Sequence, residues 1–211
     1  MNLHHHPTDD VLIGFAAGTL RRGPALLVDT HLRACPACRA DVGRMEAVGG
    51  ALLDDLPPIG MASDALARAL ASIERPQPPE PSLRRRRPDG IDLTEVLGDL
   101  KLGPKRRLGP GLWMREILRE GPGVTYLLRS GPGRRLPTHG HTGMEYVCVL
   151  TGAFSDETGR YAPGDFAQSD DSLVHAPITD LDGECICLIA AAGPMQMHSL
   201  AGKLLQPFVG L

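Results

Sequence analysis

The sequence predicts a two-part chain, a small helical domain followed by an all-β barrel or sandwich, and three observations carry that expectation. Up to about residue 75 apolar residues recur at helical spacing between capping signals. From residue 91 on, short β-branched and aromatic runs alternate with Gly, Pro and Asp turns. Between them lies "PQPPEPSLRRRRPDG", residues 76–90, whose prolines and four-arginine run bury no apolar surface and suit a solvated linker. The expected boundaries are 1–75, 76–90 and 91–200, with a tail at 201–211.

The first helix is expected in "PTDDVLIGFAAG", with Thr8 as N-cap, acids in the first turn, Leu12, Phe15 and Ala16 on the apolar face, and Gly18 as the stop. A second starts near Pro24 in "GPALLVDTHLRAC", where proline suits the first turn. Pro36 begins a third and makes Cys35 its N-cap. "SDALARALASIE" is a fourth, amphipathic helix with Ser63 as cap and Leu66, Ala69, Leu70 and Ile73 on one face. That face serves equally as internal core or as a docking surface. Strands are expected in "TYLLRS", "EYVCVLTG", "DFAQS" and "ECICLIAA", and Trp113 is expected to pack inside the barrel.

Composition narrows the function. A net charge of −3 and a pI near 6.2 lack the basic excess of a bulk DNA binder. No apolar stretch is long enough to span a membrane, and "MNLHHHPTDD" lacks the layout of a signal peptide, so the expectation is a cytoplasmic protein without membrane or direct nucleic-acid contact. In a reducing compartment, five cysteines read as metal-binding, redox-active or buried rather than as disulfides. Cys148, Cys185 and Cys187 lie in expected strands and read as small buried hydrophobes, with oxidant sensing as the alternative.

Two constellations carry chemistry. His31 and Cys35 are one helical turn apart, and Cys38 lies on the first turn of the next helix, where the helix dipole should favour a thiolate. Zinc takes four N or S ligands in a tetrahedron, so one more is needed, and His4, His5 and His6 are the candidates. A thin helical core would gain much from such a metal, since structural zinc contributes roughly 10–16 kcal/mol in finger peptides. The spacing His6-x24-His31-x3-Cys35-x2-Cys38 resembles the zinc-binding domain of bacterial anti-sigma factors, and "HHPTDDVLIGFAAGTL" narrows the resemblance to the ChrR type. That resemblance implies zinc on His6, His31, Cys35 and Cys38, with His5 as the alternative to His6.

The second constellation is "GRRLPTHGHTGMEYVCVLTG", Gly133-x5-His139-x-His141-x3-Glu145-x6-Gly152, which is similar to the first cupin motif at each fixed position. Alternating strand side chains let His139, His141 and Glu145 project to one interior. His175 in "SLVHAP" is the histidine placed to join them, whereas His198 lies in a late, Met-containing segment. Three imidazoles and a carboxylate suit Zn, Mn, Fe or Ni. "APGD", residues 162–165, supplies the turn of a looser second motif.

Together these motifs resemble ChrR-type anti-sigma factors over nearly the whole chain. The resemblance implies a C-terminal cupin β-barrel (jelly roll) behind the helical zinc domain. It implies sequestration of an extracytoplasmic-function (ECF) sigma factor of the sigma-E type in a 1:1 heterodimer, released when the cupin senses singlet oxygen or an organic peroxide. No catalytic residue is expected. The competing expectation is a cupin metalloenzyme, dioxygenase-like, with a helical regulatory module.

Overall fold

The computed structural model describes residues 3–73 and 91–198; the expected linker and the C-terminal tail lie outside the described residues. The helical part comprises α1 (Asp9–Ala16), α2 (Arg22–Ala34), α3 (Pro36–Asp54) and α4 (Ala65–Ile73). Thr8 occupies the N-cap position of α1, but its hydroxyl donates to Gln168 Oε1 at 3.1 Å instead of capping the helix. The helix ends as expected at Gly18, whose φ of +67° suits a residue without Cβ. Its buried face is Val11 and Leu12, with Phe15 and Ala16 partly buried beside them.

Helix α2 begins two residues ahead of Pro24 and is the most deeply buried helix, with Leu27, Val28, Thr30 and His31 sealed from solvent. Cys35 ends α2 and caps α3, and its sulfur accepts the Cys38 N–H at 3.4 Å. Along α3 only Cys38 and Val42 are buried. Helix α4 starts at Ala65 rather than directly after Ser63, and none of its residues is buried. No helix among the described residues is long and apolar enough to cross a membrane.

The second part opens with α5 (Leu93–Leu97) and continues as antiparallel strands: β1 (Arg106–Gly109), β2 (Leu112–Glu120), β3 (Gly123–Ser130), β4 (His139–His141), β5 (Glu145–Thr151), β6 (Phe154–Asp156), β7 (Gly159–Tyr161), β8 (Phe166–Ser169), β9 (Ile178–Thr179), β10 (Cys185–Ala191) and β11 (Met195–Met197). The main sheet has the order β1-β2-β3-β10-β5-β8, and shorter sheets β11-β4 and β7-β6-β9 complete the barrel.

Strand alternation places Met114, Val124, Tyr126, Val147, Val149, Cys185, Cys187 and Ile189 in the barrel interior. The opposite face of the same strands is not solvated. Leu127, Cys148, Leu150, Phe166, Leu188 and Ala190 share a core with Val11, Leu12, Leu27, Val28 and Leu32 of the helices. Being covered on both faces explains why "CICLIAA" is a continuous apolar run rather than an alternating one. All three strand cysteines are buried in consequence.

Strand β2 escapes sequence reading because Arg115, Glu116 and Arg119 interrupt its apolar pattern, which shifts register between Glu116 and Leu118. Trp113 corrects an expectation: it lies half-buried on the face of β2 opposite Met114. Lys105 Nζ is 4.7 Å and Arg129 Cζ 5.8 Å from its ring centroid. Cations over its face favour the ring at that half-buried position, although its indole Nε1–H is buried there without a hydrogen-bond partner.

Candidate metal centres

The first centre forms where α2 gives way to α3. The extended Cys35 between the two helices turns the chain so that the His31, Cys35 and Cys38 side chains meet. The N-terminal segment adds His6, whose Nδ1 lies 3.5 Å from Cys35 Sγ and 3.4 Å from Cys38 Sγ. His31 Nε2 is 3.3 Å from Cys38 Sγ, and one ligand atom from each of the four residues lies within 4.8 Å of the others. His31 Nδ1–H donates to Gly164 O at 2.7 Å, which leaves the Nε2 lone pair facing the thiols. His5 does not enter the cluster: its ring packs on Tyr161, with centroids 4.3 Å apart.

The electrostatics differ from the helix-dipole expectation. Burial pushes the Cys38 thiol up to about 12, and the adjacent Cys35 thiol adds to the rise. Burial also lowers the His31 imidazole, against the opposing effect of its bond to Gly164. Desolvation therefore outweighs the partial positive charge of the α3 N-terminus. Two buried thiols and two imidazoles with converging lone pairs fit a divalent cation, which supplies the charge that makes thiolates stable there.

The second centre lies inside the barrel. His139 and His141 flank Gly140 on β4, and Glu145 is the first residue of β5. His175 reaches them through a two-bond bridge with His139, each N–H donating to the other's carbonyl at 3.0 Å. His175 Nε2 is 3.2 Å from both His139 Nε2 and His141 Nε2, and His141 Nε2 is 3.5 Å from Glu145 Oε2. All four side chains are buried. His198 stays outside the four-residue group, near Gly140.

Tautomers decide what this cluster can do. His139 Nδ1–H donates to Pro137 O and His175 Nδ1–H donates to Asp156 Oδ2, each at 2.8 Å. Both Nε2 atoms are then acceptors, and two lone pairs facing each other need a cation between them. Burial lowers the His139 and His141 imidazoles to about 4, so a proton is a poor choice at neutral pH. Burial raises Glu145 to about 7, partly opposed by His175 and by the Tyr126 hydroxyl. A metal ion satisfies all four groups together.

Three supporting residues escaped sequence reading. Tyr126 donates to Glu145 from β3. Asp156 orients His175; burial opposes its charge, but hydrogen bonds from His175 and Thr158 bring it down to about 2. Asp165 is buried and accepts the His4 N–H at 2.9 Å and the His5 N–H at 3.2 Å. Its motif, "APGD", signalled only a turn. Next to the imidazoles is a cavity of about 60 Å³, lined among others by Tyr126, Val147, Phe154, Cys185, Cys187 and Met195.

Residues 99–196 match the family model of the ChrR cupin-like domain. The anti-sigma-E factor ChrR of Cereibacter sphaeroides is 37% identical over 210 residues, covering 99% of each chain. The crystal structure of Rhodobacter sphaeroides SigE in complex with the anti-sigma ChrR is 34% identical, with a TM-score of 0.76 over 90% of this chain and 100% of that one. A more distant likeness is an RmlC-like cupin protein from Ralstonia eutropha JMP134, 17% identical with a TM-score of 0.42 over 49% of this chain and 69% of that one. With identity at this level extending through both the helical part and the barrel, the chain belongs to the ChrR family.

Proposed function

We propose that this protein is an anti-sigma factor that holds an ECF sigma factor of the sigma-E type in a 1:1 heterodimer. The observation that carries this reading is the full-length likeness to a protein solved in complex with SigE. A surface of the right character supports it. Leu52, Leu53, Leu56, Ile59, Met61, Leu66, Leu70 and Ile73 are exposed in the stretch from the end of α3 through α4, with Ile59 at 89%. So many exposed large apolar side chains in one stretch mark a surface that a partner covers. Helix α4, with its apolar face turned to solvent, suits helix-in-groove docking.

Zinc on His6, His31, Cys35 and Cys38 would staple α2, α3 and the N-terminal segment into the shape that binds the sigma factor. Zinc, manganese, iron or nickel on His139, His141, Glu145 and His175 would make the barrel the sensor of an oxidative signal such as singlet oxygen. In this reading residues 1–75 are the inhibitory domain, 76–90 the linker, 91–200 the sensory cupin and 201–211 a tail. It acts in the cytoplasm, where sigma factors meet RNA polymerase.

No turnover is required. The cavity beside the second centre, about 60 Å³, has room for water or dioxygen. Substrate pockets run to roughly 300–1,000 Å³, which weighs against a metabolite-processing cupin.

The test is co-purification with a sigma-E-type ECF sigma factor from the same genome, for the parent chain and for Cys35→Ser/Cys38→Ser. The parent should bind and silence sigma-dependent transcription, and the double variant should do neither. Inhibition that survives the double substitution would refute the zinc-stapled mechanism; failure of the parent to bind would refute the anti-sigma reading. Exposure to photogenerated singlet oxygen should release the sigma factor from the parent but not from His141→Ala.

A further inference from the structure

One short segment, 156–166, touches both candidate centres. At its start Asp156 Oδ2 accepts the Nδ1–H of His175 at 2.8 Å. Near its end Gly164 O accepts the Nδ1–H of His31 at 2.7 Å. Each imidazole is therefore held, through the nitrogen that does not face its cluster, by an acceptor on the same stretch of β6, β7 and the turn into β8.

The hold on the first centre extends to His6. The buried Asp165 carboxylate takes the His4 and His5 N–H groups on Oδ1 and the Ala162 N–H on Oδ2, the last at 2.9 Å. Phe166 N–H donates to His5 O at 3.1 Å. The residues immediately before His6 are thus clamped to the barrel through the N–H of His5, bonded to the Asp165 side chain, and its carbonyl, bonded to the Phe166 main chain.

The interior of the segment is tied together as well. Thr158 donates its N–H to Asp156 Oδ1 at 2.8 Å and its Oγ1–H to the same oxygen at 2.5 Å. Thr158 Oγ1 also lies 2.8 Å from the Tyr161 hydroxyl, and the Tyr161 ring carries the His5 ring. A continuous series of bonded or packed groups runs from His175 to His5, next to His6.

We propose that segment 156–166 is a positioning element shared by the two centres. Asp156 orients His175 in the barrel, Gly164 and Asp165 orient His31 and His6 beside the cysteines, and metal occupancy at one centre raises metal affinity at the other. The proposal rests on reading both clusters as metal centres but needs no sigma factor. Partners that orient a ligating histidine are typically worth roughly 10–100-fold in metal affinity. Linkage makes any coupling between the two centres reciprocal.

The experiment uses the full chain and two probes. Zn²⁺ affinities are read by competition with a chromophoric chelator. Co²⁺ reports the first centre separately, because only there do thiolates give near-ultraviolet charge-transfer bands. His141→Ala disables the barrel centre at a residue outside the segment, and affinity at the cysteine centre should fall about fivefold or more. Asp165→Asn should lower affinity at the cysteine centre about tenfold, and adding His141→Ala to it should then change little. Asp156→Asn should weaken the barrel centre about tenfold and reproduce the linked loss at the cysteines.

Cysteine-centre affinity that stays within twofold when the barrel centre is disabled overturns the proposal. A second readout needs no substitution: amide exchange at His4, His5 and Phe166 should slow when a second equivalent of Zn²⁺ fills the barrel. Unchanged exchange overturns the linkage equally. Absence of thiolate–cobalt bands in the parent chain overturns the reading of the first cluster as a metal centre, and the linkage with it.

Discussion

Replacing Gly23 with alanine tests directly whether the helical part is packed on the barrel. Gly23 is in the first turn of α2, and a Cβ there would come closer than 3.0 Å to Thr125 Oγ1 on β3. Thr125 is buried and stiff at χ1, so relief requires α2 to back away from the sheet. Overpacking of this kind costs about 1–3 kcal/mol. Alanine in place of glycine in a helix returns about 0.5–1 kcal/mol. The net expectation is a loss of about 1–2 kcal/mol. Removing the hydroxyl reverses the sign: the other near atoms are Ala190 Cβ at 3.4 Å and Thr125 Cβ at 3.6 Å, both ordinary contacts. In a Thr125→Ala background Gly23→Ala should therefore be neutral or stabilising by about 0.5 kcal/mol. The four proteins of this cycle, unfolded in urea at saturating zinc, give the coupling energy. Equal destabilisation in both backgrounds would refute the docking of α2 on β3.

Other expectations follow from the same geometry. Leu188→Ala, at a fully buried position between the sheet and the helices, should cost about 2–5 kcal/mol by urea unfolding. Leu66→Asp and Ile73→Asp, at side chains 70% and 72% exposed, should change stability by less than about 0.5 kcal/mol yet reduce sigma-factor binding at least tenfold in a pull-down titration. Metal-free protein should lose stability as pH falls from 6.5 towards 4.5. In that window His139 and His141, lowered to about 4, resist protons that the unfolded chain takes up, while Glu145, raised to about 7, retains one that the unfolded chain releases. The two imidazoles outweigh the carboxylate by one proton, about 1.4 kcal/mol per pH unit at most. Urea midpoints at pH 7 and pH 5 in the presence of a chelator check the sign.

Local chemistry was legible in the sequence wherever a feature is decided within one or two turns of chain. Pro36 after Cys35 marks the α2–α3 junction, Gly18 ends α1, and the short spacings of His31, Cys35 and Cys38 and of His139, His141 and Glu145 keep those side chains within reach of one another across a single junction between elements. The strands β3, β5, β8 and β10 were readable from their β-branched runs. These are short-range features of the chain, and they suffice for three ligands of each cluster and for the fold class.

What tertiary structure decided is every contact across a long sequence distance. Which N-terminal histidine meets the cysteines depends on Asp165, far along the chain, pinning the His4 and His5 amides so that His5 turns to Tyr161 and His6 inward. The rise of the Cys38 thiol reflects burial that no helix-dipole argument anticipates. The helices cover the outer face of the barrel, so the sheet shares a core with α1 and α2. Asp156 has no motif, because a hydrogen bond to His175 requires proximity rather than spacing. Periodicity determines which way a side chain points along its own element; only packing determines what it meets there.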